Sequence, residues 1–198
     1  GLDQIRFFLF REVPFGNDGD FSRKALVRRV NSDLANNFGN LIQRICTFIN
    51  KNCESIVENK INLENDEDKY LINLSLLKFN KYKHFLDKQE IDKSIKEIIE
   101  LISEANVYCD KLAPWNLKKT NIKRMNESLS LLIEIIRRST IMFFPIIPNS
   151  CKKIFSILNF KENEIDFKNF DQIPIKTHKI NNAVPVFPRL EIEKLDQN

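Results

Sequence analysis

Apolar residues fall at helical intervals along most of this chain, and only a few positions break the rhythm. Leu34, Phe38, Leu41, Ile45, Phe48 and Ile49 lie at i, i+4, i+7, i+11, i+14 and i+15, which puts them on one face of a single long helix. Ser22 is its predicted N-cap, because a serine oxygen can accept from a free first-turn amide. The pattern runs to about Cys53. Gly39 interrupts it. An interior glycine costs about 1 kcal/mol against alanine, so its presence predicts a close helix contact or a bend. Upstream, Leu2, Ile5, Phe8 and Leu9 predict a shorter helix that Pro14 ends, and Phe15 to Asp20 reads as a turn.

Downstream, Glu64 to Asp68 reads as an acidic loop feeding the next helix, since carboxylates favour a helix N-terminus. Helices are predicted over about 67–86 and 89–112; Pro114 disfavours helix at Ala113 and stops the second. Met125, Leu129, Leu132, Ile133 and Ile136 line one face of a helix at about 121–143. Ile154, Phe155 and Leu158 mark another at about 148–159. Periodicity fades after Lys161, and Pro185 and Pro188 require the stretch 183–191 to be extended. The expected fold is all-α: an antiparallel bundle of four or five helices with an entry turn and an extended C-terminal tail.

Composition narrows this further. The 198 residues hold one domain with an appendage, or two small domains at most. Only 4 glycines, among long Leu-, Ile-, Lys-, Glu- and Asn-rich stretches, favour helix over sheet or disorder. A net charge of +4 is compatible with a nucleic-acid partner without requiring one. Cys46 and Cys53 sit two helical turns apart, roughly 10 Å along the axis, too far for a disulfide. All four cysteines read as reduced thiols of a cytoplasmic protein. No apolar run approaches the roughly 20 residues of a membrane span. The start, Gly1-Leu2-Asp3-Gln4, has neither an initiator Met nor a basic signal region, which reads as a fragment of a longer protein.

Catalytic chemistry finds no foothold. His84 and His178 are isolated, no Cys/His spacing suits a metal, and neither a G-x-S-x-G turn nor a phosphate-binding glycine loop occurs. The carboxylates of Glu64 to Asp68 read as a solvated loop. Binding is better served. Asn40 and Arg44 share a helix face that Thr47 and Lys51 extend, beside the apolar stripe. An amide next to a planar guanidinium suits the base edges and phosphates of single-stranded RNA, but a wet helix face has the same composition. Trp115 follows Pro114 at a helix end, where a ring can project to stack on a base or turn inward to the core.

At these residues a resemblance emerges. Gly1 to Ser22, reading GLDQIRFFLFREVPFGNDGDFS, is similar to the segment of the methionyl-tRNA synthetase family that joins catalytic core to anticodon domain. Arg29, Asn31, Asp33-Leu34-Ala35-Asn36, Gly39-Asn40-Leu41 and Arg44 continue it. So do Asn106-x-Tyr108, Ala113-Pro114-Trp115 with Lys118, Phe144-Pro145-Ile146-Ile147-Pro148 and Phe187-Pro188-Arg189-Leu190-Glu191. The likeness spans the chain and is weakest at about 55–100 and 160–183.

The resemblance implies a class I synthetase anticodon-binding bundle that reads the CAU anticodon of tRNA(Met). Asn40, Arg44 and Trp115 stand at family positions that contact anticodon bases. Residues 1–25 would close the catalytic domain and reach the tRNA inner side around Gly16 to Ser22, 26–160 would form the bundle, and 161–198 would pack back on it. Catalysis with ATP would belong to a catalytic domain of the same chain, whose signatures are absent here. No cofactor or metal is expected in this part, and a monomer is. Phe7, Phe8 and Phe10 would pack against the catalytic domain, leaving an apolar patch. The competing readings are the equivalent domain of another class I synthetase and a helical scaffold without an RNA role.

Overall fold

The computed structural model describes residues 1–13, 21–58, 60–161, 165–172 and 177–191. The expected turn at Phe15 to Asp20 lies outside them. Among the described residues eight α-helices form, more than the four or five expected for the bundle: α1 (Leu2–Glu12), α2 (Arg23–Arg29), α3 (Asn40–Asn52), α4 (Asp66–Asp87), α5 (Ile91–Leu112), α6 (Pro114–Thr120), α7 (Ile122–Phe143) and α8 (Pro148–Leu158), of which α6 lies outside the predicted helices. The stretch between α2 and α3, Val30–Gly39, is a wider π-helix, so the predicted long helix exists with an underwound middle. Ser22 caps it as expected, its Oγ accepting from the Ala25 amide at 3.4 Å. Asn65 and Asn121 do the same for α4 and α7.

The core forms where α4, α5 and α7 pack together and α5 and α7 meet the long helix. Leu34, Phe38, Leu41, Ile45 and Ile49 are all buried, and α7 is buried without interruption from Glu127 to Phe143. It is the central helix, with neighbours on all sides. Four of its buried residues are charged: Glu127, Glu134, Arg137 and Arg138. Glu134 accepts from Arg137 Nε at 2.8 Å and from Arg138 Nε at 2.6 Å. The surplus guanidinium donors go to the carbonyls of Phe170 and Gln172 and to Ser75 Oγ. Phe170, under the Arg138 guanidinium, stacks 3.7 Å from Phe79. These contacts pin residues 165–172 to α4 and α7.

The tail is extended, as expected, and runs antiparallel along the long helix. Asparagine amides on that helix replace the partners its backbone lacks. Asn31 donates to Leu190 O at 2.9 Å and accepts from Leu190 N at 2.8 Å. Asn36 accepts from Arg189 Nε, and Asn50 holds Asn181 and Ala183. The close contact at Gly39 is not with another helix but with its own helix and this tail: a Cβ there would lie 3.1 Å from Leu34 O and 3.3 Å from Phe187 Cδ2.

Four expectations change. The buried face of α1 is Asp3, Phe7 and Phe8, while Leu2, Ile5 and Leu9 face outward. Phe7 meets Phe143 edge-on and Phe8 meets Phe21, so neither forms an exposed patch, and Phe10 is partly buried. Polar anchors choose this face: Asp3 accepts from Ser150 N at 2.6 Å, capping α8, and Arg6 donates to Ile146 O. Second, Asp66 to Asp68 form the first turn of α4 rather than a solvated loop, and Asp68 is fully buried. Third, Pro114 both ends α5 and opens α6, because its fixed φ and missing N–H suit a first helical position. Fourth, a small antiparallel bridge joins β1 (Ile56–Val57) to β2 (His178–Lys179).

The four cysteines are free. Burial pushes the Cys46 thiol up to about 12 and the Cys109 thiol up to about 11, and raises Cys151 well above the ordinary 9.0. Cys53 is only half-buried. Burial raises the Cys53 thiol as well, but its partial exposure means that a thiol reagent at about pH 8 should label it before the other three in the native chain, and all four after denaturation. Fast native labelling of Cys46 or Cys151 would contradict this packing. Neutral thiols in the fold stabilise fully below the unfolded value of 9.0, and that contribution is lost as pH climbs towards 12.

Candidate functional site

The corner between α5 and α6 is set by its sequence. Ala113 takes φ +44°, ψ 71°, left-handed backbone that costs an L-residue about 1–2 kcal/mol. Its amide donates to Cys109 O at 2.9 Å and its carbonyl accepts from Asn116 N at 2.8 Å. Pro114 is buried behind it. The next side chain, Trp115, is thereby turned outward, and it is 39% exposed. Strained backbone persists where surrounding structure over-determines it, and such positions gather at binding sites.

A buried network fixes this end of the bundle. Asp68 on α4 accepts two bonds from Arg124 on α7, at 2.6 and 2.8 Å, and one from the Tyr108 hydroxyl of α5 at 2.7 Å. Burial, then the bond to Asp68, raises the Tyr108 pKa, while the Asp68 bond raises that of Arg124. Both groups therefore keep their protons at any ordinary pH. The α6 corner is mounted on this rigid junction. Asn106 ties α5 to the π-helical segment by donating to Asn37 Oδ1 at 2.8 Å.

Arg44 and Trp115 come together. The guanidinium carbon lies 5.0 Å from the indole centroid, and NH2 reaches Asp110 Oδ1 at 2.6 Å. The ring is thus held by a cation on one side and a carboxylate orients that cation. Asn40 lies one turn back on α3 and is exposed. It opens on a cavity of about 410 Å³ shared with Asn36, Gln43, Pro185 and Phe187. Thr47 accepts from Gln43 at 2.9 Å, and Lys51 is exposed. Lys118 on α6 donates to Asn52 Oδ1 at 2.8 Å, which sets an ammonium beside the same surface.

Three participants escaped the sequence reading. Asp110 gave no signal of its own, since its partner is 66 residues away. Asn52 likewise lies far from Lys118. Tyr108 belongs to a family-like motif, but its role needed Asp68 and Arg124 in place. Among the described residues no three His, Cys, Asp or Glu side chains are grouped to hold a metal, and no helix is long and apolar enough to cross a membrane.

Comparison with known proteins adds independent findings. The family model for the anticodon binding domain of methionyl tRNA ligase matches residues 60–187, and that for tRNA synthetases class I (M) matches residues 1–46. The methionine–tRNA ligase of Rickettsia conorii is 40% identical over 96% of this chain, and that of Brucella suis is 37% identical over 100%. The chain spans 38% of the length of each of these relatives. The apo crystal structure of Mycobacterium tuberculosis methionyl-tRNA synthetase superposes with a TM-score of 0.90 at 31% identity, covering 96% of this chain and 39% of that one. A second structure of that enzyme, bound by methionyl-adenylate, gives the same score and identity over 95% of this chain and 38% of that one.

Proposed function

Since this chain belongs to the anticodon binding domain family of methionyl tRNA ligase, we propose that it reads the CAU anticodon of tRNA(Met) through Asn40, Arg44 and Trp115. The observation that carries this reading is the half-exposed indole with the Arg44 guanidinium over its face. A base drawn out of the anticodon stack gains about 1–3 kcal/mol from an aromatic ring. Arg44 presents further donors to a base edge or phosphate. Asn40, with donor and acceptor on one exposed amide, suits a neighbouring base edge. Lys118 and Lys51 supply positive charge along the same side.

The wider reading is a ligase that joins methionine to this tRNA with ATP as co-substrate. Catalysis would fall to a catalytic domain of the same chain, and the protein would act as a cytoplasmic monomer. Residues 1–25 would serve as the joint to that domain, 26–160 as the reading bundle and 161–198 as its returning extension.

The test is a binding titration with anticodon stem-loops carrying CAU or an altered triplet, at two salt concentrations. CAU should bind about tenfold or more tightly, the free energy of one good base contact. Affinity should fall as salt rises, because phosphate contacts release counterions. Equal affinity for both loops would overturn the assignment, and so would affinity indifferent to salt.

A further inference from the structure

The outer face of the α4–α5 hairpin carries apolar side chains that nothing among the described residues covers. Tyr70 is 57% exposed and Leu77 51%, two turns apart on α4, and Val107 on α5 is 61% exposed. Between Tyr70 and Val107 the surface sinks into a cavity of about 290 Å³, walled by Leu71 and Tyr108. The Tyr108 wall is immobilised by the Asp68–Arg124 network, so the cavity is pre-formed.

Its rim is acidic. Asp66, Glu67 and Glu104 line it against a single cation, Lys111, which is already paired with Glu67 at 2.6 Å. This charge discriminates between occupants. RNA phosphates and anionic lipid headgroups are repelled by such a rim. A second copy docking face to face would set carboxylates against carboxylates, since a two-fold interface pairs a patch with itself. A cationic partner gains from the same field, and an aromatic side chain such as Tyr70 beside a fixed pocket is a usual anchor of protein recognition.

We propose that this groove docks a segment of another protein that presents one large apolar side chain flanked by lysines or arginines. The apolar side chain fills the cavity between Tyr70 and Val107, and the flanking cations lie against Asp66 and Glu104. Neither Arg44 nor Trp115 lines this cavity, and it takes a partner of opposite charge to the RNA they would bind.

The test uses two fluorescein-labelled peptides with the same central Leu-Trp pair, one flanked by lysines and one by glutamates. Each is titrated by anisotropy against the full chain, and amide shifts are mapped by NMR. The lysine peptide should bind about tenfold or more tightly than its acidic sibling, the margin expected of a complementary over a like-charged rim. Its shifts should cluster on Tyr70, Leu71, Glu104 and Val107. Val107→Ser and Tyr70→Ala should each weaken it about fivefold or more with unchanged melting, because both side chains point outward. Equal affinity for the two peptides, shifts centred elsewhere, or no binding at millimolar peptide would overturn the proposal. So would an RNA hairpin that shifts the same amides, or a dimer that Val107→Ser dissolves.

Discussion

Glu134→Ala is expected to lower the unfolding free energy by about 3–5 kcal/mol, the usual cost of removing one partner from a buried ion pair. Glu134 is the carboxylate that Arg137 and Arg138 share, and all three side chains are at most 3% exposed. Without it, two guanidinium groups remain in the interior beside the Phe170 and Gln172 carbonyls and the Ser75 hydroxyl. Carbonyl dipoles offset part of that charge but cannot neutralise it. Glu134→Gln should cost less, because its amide oxygen still accepts one bond. Urea denaturation followed by circular dichroism checks this. A midpoint shifted by less than the equivalent of about 1 kcal/mol would show that water reaches the site. The second signature is local: residues 165–172 should lose amide protection first, since Arg137 and Arg138 hold them.

Trp115→Ala is expected to weaken binding of the CAU stem-loop by about 5- to 150-fold, the loss of one stacked base at about 1–3 kcal/mol. Stability should hardly move, because the indole is partly exposed and its cation–π contact with Arg44 contributes about 0.5–1 kcal/mol at such a site. Trp115→Phe should recover part of the binding, since a smaller ring still offers a face. Arg44→Ala should produce a loss of similar size. Its ion pair with Asp110, whose carboxylate is 63% exposed, adds little to the fold. Isothermal titration with the melting temperature measured alongside separates the two effects. Binding that falls only in proportion to lost folding would assign Trp115 and Arg44 a structural role instead.

Periodicity disclosed the long helices because each carries an apolar stripe several turns long. It was blind where the stripe is short or ambiguous. On α1 two apolar stripes compete, and the choice of Phe7 and Phe8 over Leu2, Ile5 and Leu9 is made by Asp3 and Arg6, whose partners lie about α8. The seven residues of α6 are too few to show a period. The two-residue bridge of β1 with β2 leaves no pattern at all. Asp68 resembles any solvated carboxylate until Arg124, 56 residues on, folds against it.

The site divides in the same way. That Asn40 and Arg44 share a helix face follows from their spacing. The outward turn of Trp115 depends on the left-handed Ala113 and the buried Pro114. The clasp from Asp110 depends on how α5 docks on α3, which no local signal records.

The antiparallel run of the tail along the long helix has a temporal consequence. Asn40 leaves the ribosome before Pro185 and Phe187, which wall the cavity beside it and follow more than a hundred residues later. At about 5–20 residues per second, a nascent chain spends many seconds with the amide made and its wall unmade. The cavity beside Asn40 therefore stays open on one side until Phe187 has emerged, and maturation of this surface waits on the last stretch of the tail.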